Sequence, residues 1–254
     1  MALAACTHSE RKPVMNTAST QTPALTNVES VCPALAHLTQ SALLDGVWKR
    51  PGLSMRDRSL VTLAALVSLD QTRELPYYVN HALDNGLKPG EISEALVQLA
   101  FYSGWENAVD AAVAIQPVFA ARSIQTDQLA AVSPKLLALD EAGEAKRATN
   151  VSQQFDAVSP GVVQNTTDLL FRNLWLRPDL APRDRSLVTV TALIATGQAL
   201  AVPYHLNRAL DNGLTQAEAG EVLTQLAFYT GWPRVFSALP VFKQVFEQRA
   251  ANAQ

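Results

Sequence analysis

The spacing of apolar residues along the chain predicts helices rather than strands. Ile92, Ala95 and Leu99 recur at the intervals that place side chains on one face of a helix. The apolar stretch over residues 60–69 is rich in Ala and Leu, which favours a buried helix. No segment alternates apolar and polar residues in the way that a half-buried strand requires. The sequence therefore predicts an all-α fold.

Residues with strong positional preferences mark the predicted helix ends. Ser54 followed three residues later by Asp57 has the spacing of a helix N-cap box. Pro182 suits the first turn of the corresponding helix further along the chain. Gly86 is suited to the left-handed residue that ends a helix, here predicted over residues 75–85.

The chain contains two diverged copies of one helical module. Three segments recur at a constant offset of 127 residues: Trp48–Thr62 as Trp175–Thr189, Ala82–Leu87 as Ala209–Leu214, and Gln98–Trp105 as Gln225–Trp232. An offset that never slips indicates a tandem duplication.

The repeat and the composition around it predict four segments. We expect a first module over residues 27–125 and a second over residues 154–254. Residues 126–153 are predicted to be a surface linker with a short helical piece. Residues 1–26, rich in Thr, Ser, Asn and Gln, are predicted to be a disordered leader.

Composition argues against several classes of protein. The net charge is −3 and no Lys/Arg-rich run occurs, so a nucleic-acid partner is not expected. The two cysteines, Cys6 and Cys32, lack disulfide or metal-ligand spacing, which indicates a cytoplasmic protein without a metal. No apolar run approaches the roughly 20 residues of a membrane span. The start up to Cys6 is similar to the end of a lipoprotein signal, but no cationic segment precedes it, and the alternative is a true start at Met15.

The repeated motifs resemble those of a known family. Arg-Asp-Arg-Ser-Leu-Val-Thr begins at Arg56 and Arg183, Ala-Leu-Asp-Asn-Gly-Leu occurs in both copies, and Leu-Ala-Phe-Tyr-x-Gly-Trp begins at Leu99 and Leu226. Together they resemble the carboxymuconolactone decarboxylase family. The resemblance implies an alkylhydroperoxidase-D-like fold and a ring of six modules, which three tandem chains would form.

The resemblance also separates two activities. One branch of the superfamily reduces peroxides with a CxxC pair, but the matching residues 76–81 and 203–208 contain no cysteine. The other branch decarboxylates carboxylated lactones without a cofactor, and its pattern is similar to Glu-Leu-x-x-His. The first copy keeps Glu74 but has Tyr78 at the histidine position, and the second keeps His205 but has Ala201 at the glutamate position. Either the two copies share one site, or one or both sites have been lost.

The resemblance, together with the chemistry that decarboxylation needs, gives three candidate catalytic residues. His205 is the implied general acid/base, Glu74 the residue that orients it or relays a proton, and Tyr204 a hydroxyl donor to a developing enolate. Each has a structural alternative. His205 would be a core histidine bonded to a carbonyl, Glu74 a surface carboxylate early in a helix, and Tyr204 a packing residue.

A second group of residues is implied to bind substrate. Arg56, Arg58, Arg183 and Arg185 are candidates for holding carboxylates, and Tyr77, Asn207, Trp105 and Trp232 are candidates for lining the pocket. The alternative for the arginines is pairing with each other or with a neighbouring module. We predict a small-molecule enzyme that acts without a cofactor on a carboxylated lactone or similar acidic ring compound. The alternative is a non-catalytic helical module for binding or assembly.

Overall fold

The computed structural model describes residues 23–252 and is helical throughout, which confirms the predicted all-α class. Among these residues there is no β-strand. The α-helices are α1 Pro23–Val31, α2 Pro33–Leu38, α3 Met55–Ser68, α4 Leu75–Asp84, α5 Pro89–Ser103, α6 Trp105–Ala121, α7 Glu141–Phe155, α8 Pro160–Asn165, α9 Pro182–Ala195, α10 Val202–Asp211, α11 Gln216–Thr230 and α12 Trp232–Asn252. Short π- and 3-10 helical turns join several of them.

The tandem repeat of the sequence is a repeat of structure. From α2 onward, each α-helix of the first copy has a partner in the second that begins 127 residues later, so α3 corresponds to α9 and α4 to α10. The unusual turns repeat as well, because the π-helical segment Thr39–Leu44 recurs as Thr166–Phe171. This correspondence confirms the predicted tandem form.

The residues predicted to start and end helices do so. The Ser54 hydroxyl accepts a hydrogen bond of 3.0 Å from the backbone N–H of Asp57. Pro182 is the first residue of α9. A backbone N–H at this position has no acceptor within the helix, so proline, which lacks the N–H, removes no helical hydrogen bond. Gly86 follows the end of α4 with φ of +95°, a conformation that side chains with a Cβ rarely adopt.

The chain divides into two compact units between Thr39 and Gln40. In the first unit the described residues form α1 and α2, and α1 begins at Pro23, within the predicted leader. The rest of that leader, with Cys6 and Met15, lies outside the described residues. The predicted linker contains most of α7, which is longer than the short helical piece expected there.

In the second unit, the two copies share one hydrophobic core. Nearly every residue of α3 and α9 is buried, and these two helices pack against each other. Helices of one copy also pack against helices of the other: α5 of the first copy packs against α9 of the second, and α11 of the second copy packs against α3 of the first. Neither copy therefore has a hydrophobic core of its own. The boundaries of the two modules, at residues 27–125 and 154–254, stay a prediction.

Candidate active site

A cavity of about 1090 Å³ opens in the second copy beside α10. One wall comes from α7, and the others come from Phe171, Trp175 and two α10 residues, Tyr204 and Arg208. Since Tyr204 and Arg208 are four residues apart, they lie on the same face of α10. The cavity therefore combines aromatic walls with charged groups of both signs, which are Asp140, Glu144, Lys146, Arg147 and Arg208.

His205 does not itself line the cavity, but it lies in an aromatic cage with Trp175 and Tyr204, which do. Its ring stacks on Trp175 at 5.6 Å between centroids, while Tyr102 and Tyr204 meet it edge-on at 5.2 and 5.0 Å. The residue is 8% exposed, and its Nδ1 is buried without a hydrogen-bond partner among the described residues. Burial, and then the charge of Arg208, lower the pKa of His205 to about 4. The imidazole is therefore neutral at pH 7.

Arg208 is a cation with unmet hydrogen-bonding capacity. Its guanidinium lies 4.3 Å from the centroid of the Trp175 ring and forms no salt bridge with any described residue. Its Nε is buried and has no partner within the described chain. A buried donor left without an acceptor costs about 1–3 kcal/mol. Arg208 thus lines the cavity without a carboxylate partner among the described residues.

A second guanidinium reaches the cavity from α7. Arg147 lies 4.1 Å above the centroid of the Phe171 ring. Its Nε and Nη2 each donate a bond of 2.7 Å to the buried carboxylate of Glu144, and Nη2 also donates to Thr167 at 3.1 Å. Sequence reasoning missed Arg147, because nothing in the linker marks it. It missed Arg208 although the spacing from Tyr204 was a usable signal.

The first copy contributes Tyr102 to the second copy's site. The indole N–H of Trp175 donates to the Tyr102 hydroxyl at 2.9 Å. Burial raises the pKa of Tyr102, so its hydroxyl stays protonated. The surroundings of His205 thus include a residue of the first copy, Tyr102, but not Glu74.

The equivalent region of the first copy differs in chemistry. Trp48 donates to the Tyr229 hydroxyl at 2.9 Å, which in turn donates to Tyr78 at 3.0 Å. Burial raises the pKa of Tyr78 to about 12. His81 stands where the second copy has Arg208, with its ring centroid 4.9 Å from that of Tyr77. This region therefore lacks the arginine of the second copy.

Glu74 stays with the first copy. It accepts a bond of 3.1 Å from Arg73, and its charge, after burial, raises the pKa of Tyr77. No contact found among the described residues joins Glu74 to His205, and Glu74 does not line the cavity. Glu74 and His205, the two residues of the Glu-Leu-x-x-His pattern, therefore lie in different copies and do not contact each other.

Arg56 and Arg183 link the two copies in a reciprocal network. Arg56 donates to Asp184 at 2.7 Å and to Glu91 at 2.8 Å. Arg183 donates to Asp57 at 2.9 Å, which is the equivalent of the pair between Arg56 and Asp184 with the two copies interchanged. Both guanidinium groups are thus occupied by carboxylates of the chain, which supports the structural alternative over substrate binding.

Arg58 and Arg185 are fully buried within the shared core. Arg58 donates to Glu221 at 2.9 Å and to Gln225 at 3.1 Å. Arg185 donates to Glu94 at 2.8 Å, and neither arginine lines the cavity. Pairing between the copies again accounts for both residues.

The other candidates also lie away from the cavity. Trp105 is 61% exposed, and Trp232, 51% exposed, borders a separate apolar groove between α11 and α12. The Asn207 amide donates to the carbonyl of Pro203 at 3.0 Å. Tyr77 packs edge-on against Tyr78 in the first copy.

Residues 23–252 also lack two other kinds of feature. Within that range, no three His, Cys, Asp or Glu side chains are grouped so that they could hold a metal ion. No helix in the same range is long and apolar enough to cross a membrane. Cys32 is a free, exposed cysteine.

Comparison of the sequence with known proteins identifies the family of the chain. The chain is 34% identical over 74 residues to 4-carboxymuconolactone decarboxylase of Acinetobacter baylyi, which covers 29% of this chain and 55% of that protein. It is 36% identical over 70 residues to the nitrosuccinic acid decarboxylase of Metarhizium robertsii, which covers 28% of this chain and 49% of that protein. The chain thus spans about half the length of these curated relatives. The carboxymuconolactone decarboxylase family model matches twice, over residues 33–116 and 160–244, so the chain belongs to the carboxymuconolactone decarboxylase family.

Proposed function

We propose that the chain is a cofactor-independent decarboxylase of a small carboxylated compound, with its active site in the cavity of the second copy. The observation that carries the proposal is the unpaired Arg208 guanidinium, which lines this cavity three residues from His205. Both relatives described above are named as decarboxylases, which supports the same reaction class.

The reaction breaks the bond between the carboxylate carbon and its neighbour. Carbon dioxide leaves, the electron pair stays on the neighbouring carbon, and a proton must then be delivered to it. Arg208 would hold a substrate carboxylate against the Trp175 and Phe171 rings of the cavity wall. Tyr204 would donate a hydrogen bond to the developing enolate.

His205 would deliver the proton. Burial favours its neutral form and lowers its pKa to about 4. A bound anion would favour the protonated form, because opposite charges nearby stabilise imidazolium. Water would restore the proton after product release. Substrate binding would therefore prepare the acid that completes the reaction.

A non-catalytic binding module is the rival proposal. The separation of Glu74 from His205 favours it, because neither copy then holds the complete acid/base pair of the family. The rival keeps the cavity and its cation but requires no proton transfer. Turnover is therefore the property that separates the two.

The test measures release of carbon dioxide from 4-carboxymuconolactone and from nitrosuccinic acid. His205→Gln is expected to lower kcat by at least about 100-fold, the usual contribution of a general acid. His81→Gln is the matched control in the first copy and is expected to stay within about twofold of the wild type. Full activity of His205→Gln, with thermal unfolding unchanged, rejects the proposed mechanism. Binding of these acids without turnover by the wild type supports the rival.

Assembly into a three-chain ring also stays a proposal. Each copy exposes aromatic and aliphatic side chains along its last helix: Trp105 and Val113 are 61% and 69% exposed, and Trp232 and Phe236 are 51% and 62% exposed. Apolar surfaces of this kind mark interfaces between proteins. Light scattering on the purified chain is expected to give three times the mass of one chain, and a monomer mass would reject the ring.

A further inference from the structure

Trp175 contacts both groups on which the proposed reaction depends. Its ring stacks on the His205 ring at 5.6 Å between centroids, with 15° between the two planes. The guanidinium carbon of Arg208 lies 4.3 Å from the centroid of the same indole. Trp175 is buried and lines the cavity. The orientation of this indole therefore sets how the imidazole and the guanidinium lie relative to each other.

The indole is oriented by a residue of the first copy. Its N–H donates to the Tyr102 hydroxyl at 2.9 Å, and the Tyr102 ring meets the His205 ring edge-on at 5.2 Å. The N–H is the single polar group of a tryptophan side chain. Stacking contacts alone would let the Trp175 ring turn within its own plane, whereas the hydrogen bond to Tyr102 fixes that angle.

Tyr102 is itself held by a row of contacts along α5. Glu94, Gln98 and Tyr102 follow each other at intervals of four residues, which places them along one face of this helix. Glu94 accepts from Arg177 at 2.8 Å, and Gln98 accepts from Arg185 at 2.9 Å. All three residues of the row thus bond to the second copy. The Tyr102 hydroxyl is therefore presented by a helix that is anchored on the copy that it contacts.

The first copy has the same bond beside a different residue. Trp48 donates to the Tyr229 hydroxyl at 2.9 Å, which is the equivalent pair with the two copies interchanged. Tyr78 takes the place of His205 there and accepts from Tyr229 at 3.0 Å. The bond between tryptophan and tyrosine is thus a feature of both copies, whereas in the second copy it lies beside the proposed acid.

We propose that Tyr102 is a positioning residue, which through its bond to Trp175 holds His205 in the orientation that proton delivery requires. Proton transfer depends strongly on the direction and distance between donor and acceptor, so a small rotation of the rings lowers its rate. The attraction between the Arg208 guanidinium and a carboxylate depends mainly on their distance and tolerates the same rotation. Loss of the bond should therefore act on kcat more than on KM. This inference rests on the proposed active site and adds to it a residue of the other copy.

The test compares Tyr102→Phe with its equivalent in the repeat, Tyr229→Phe. Each variant keeps the ring and removes the hydroxyl to which a tryptophan donates, and Tyr229→Phe also loses the bond to Tyr78. The control therefore loses at least as many hydrogen bonds. With the acid that the wild type decarboxylates, below the Tm of both variants, Tyr102→Phe is expected to lower kcat about tenfold and to leave KM within about twofold. Tyr229→Phe is expected to keep both within about twofold of the wild type.

A double variant tests whether Tyr102 acts through Trp175. Trp175→Phe removes the N–H that donates to Tyr102, so the addition of Tyr102→Phe is expected to lower kcat by no more than about a further twofold. An unchanged kcat in Tyr102→Phe, an equal loss in Tyr229→Phe, or full addition of the two losses in the double variant overturns the inference.

Titration of His205 by NMR gives a readout that needs no turnover. Burial, and then the charge of Arg208, lower the pKa of His205 to about 4 in the wild type. When the Trp175 ring loses its bond to Tyr102, water reaches the imidazole more easily. The pKa of His205 is therefore expected to rise toward its ordinary value of about 6.5 in Tyr102→Phe and to stay near 4 in Tyr229→Phe.

The two proposals fail separately in these experiments. Turnover that depends on His205, with a kcat that does not respond to Tyr102→Phe, removes the positioning role and leaves the decarboxylase. An absence of turnover, with a pKa of His205 that rises in Tyr102→Phe but not in Tyr229→Phe, removes the decarboxylase and leaves Tyr102 as the residue that positions the imidazole. An unchanged pKa in the absence of turnover removes both.

Discussion

Neutralising Glu94 is expected to destabilise the contact between the two copies. The side chain is fully buried on α5 of the first copy. It accepts bonds of 2.8 and 3.0 Å from Arg177 and of 2.8 Å from Arg185, both in the second copy. Glu94→Gln leaves these two guanidinium groups without their counter-charge. Removing one partner of a buried ion pair costs about 3–5 kcal/mol.

The repeat supplies an internal comparison for this cost. Glu221 occupies the equivalent place in the second copy and pairs with Arg50 and Arg58 of the first. The Arg50 side chain is 50% exposed, so solvent can replace much of its pairing. We expect Glu221→Gln to cost about 1–3 kcal/mol, less than its buried counterpart.

Thermal unfolding measures both changes. In a chain of this length 1 kcal/mol corresponds to a shift in Tm of about 2–4 °C, so Glu94→Gln is expected to lower Tm by roughly 10 °C. Glu221→Gln should lower it by roughly half as much or less. A shift for Glu221→Gln equal to or larger than that for Glu94→Gln would refute the reasoning from burial.

Two further predictions concern the cage around His205. The pKa of His205 is about 6.5 in the unfolded chain and about 4 in the folded chain, so the unfolded chain takes up a proton at higher pH. Protonation therefore favours the unfolded chain, and the free energy of unfolding should fall by about 3 kcal/mol between about pH 6.5 and pH 4. Denaturant unfolding at both pH values should show this loss in the wild type and not in His205→Gln, and equal pH dependence would contradict it. Tyr102→Phe leaves the Trp175 N–H, in a residue 3% exposed, without its acceptor, at a cost of about 1–3 kcal/mol. An unchanged Tm for Tyr102→Phe would contradict the importance of that bond.

The helices could be predicted from sequence because their signals are local. The N-cap at Ser54, the first-turn Pro182 and the left-handed Gly86 each act within one helical turn. The constant offset of the repeat extended these assignments to both copies. The packing of helices from one copy against the other could not be predicted in this way. The contact between α5 and α9, for example, joins residues that are far apart in the sequence, so no local pattern marks it.

The candidate site was only partly predictable for the same reason. His205 followed from the family pattern and Tyr204 from its recurrence in the repeat; Tyr204 lines the cavity, and His205 packs edge-on against it. The arginines of the repeated motif were conspicuous in sequence, yet Arg56 and Arg183 pair across the copies. A charged residue's partner is set by the tertiary fold, so Arg147 in the linker could not be distinguished from a surface cation.

The central claim is that Arg208 holds the substrate in the second copy, and its removal tests this most directly. Arg122, which donates to Asp84 of the first copy at 2.8 Å and does not line the cavity, provides the matched control. With the acid that the wild type decarboxylates, Arg208→Gln is expected to lower kcat/KM by at least about 100-fold. Arg122→Gln should stay within about twofold of the wild type. An Arg208→Gln variant with wild-type kcat/KM, or a wild type that releases no carbon dioxide, would contradict the claim.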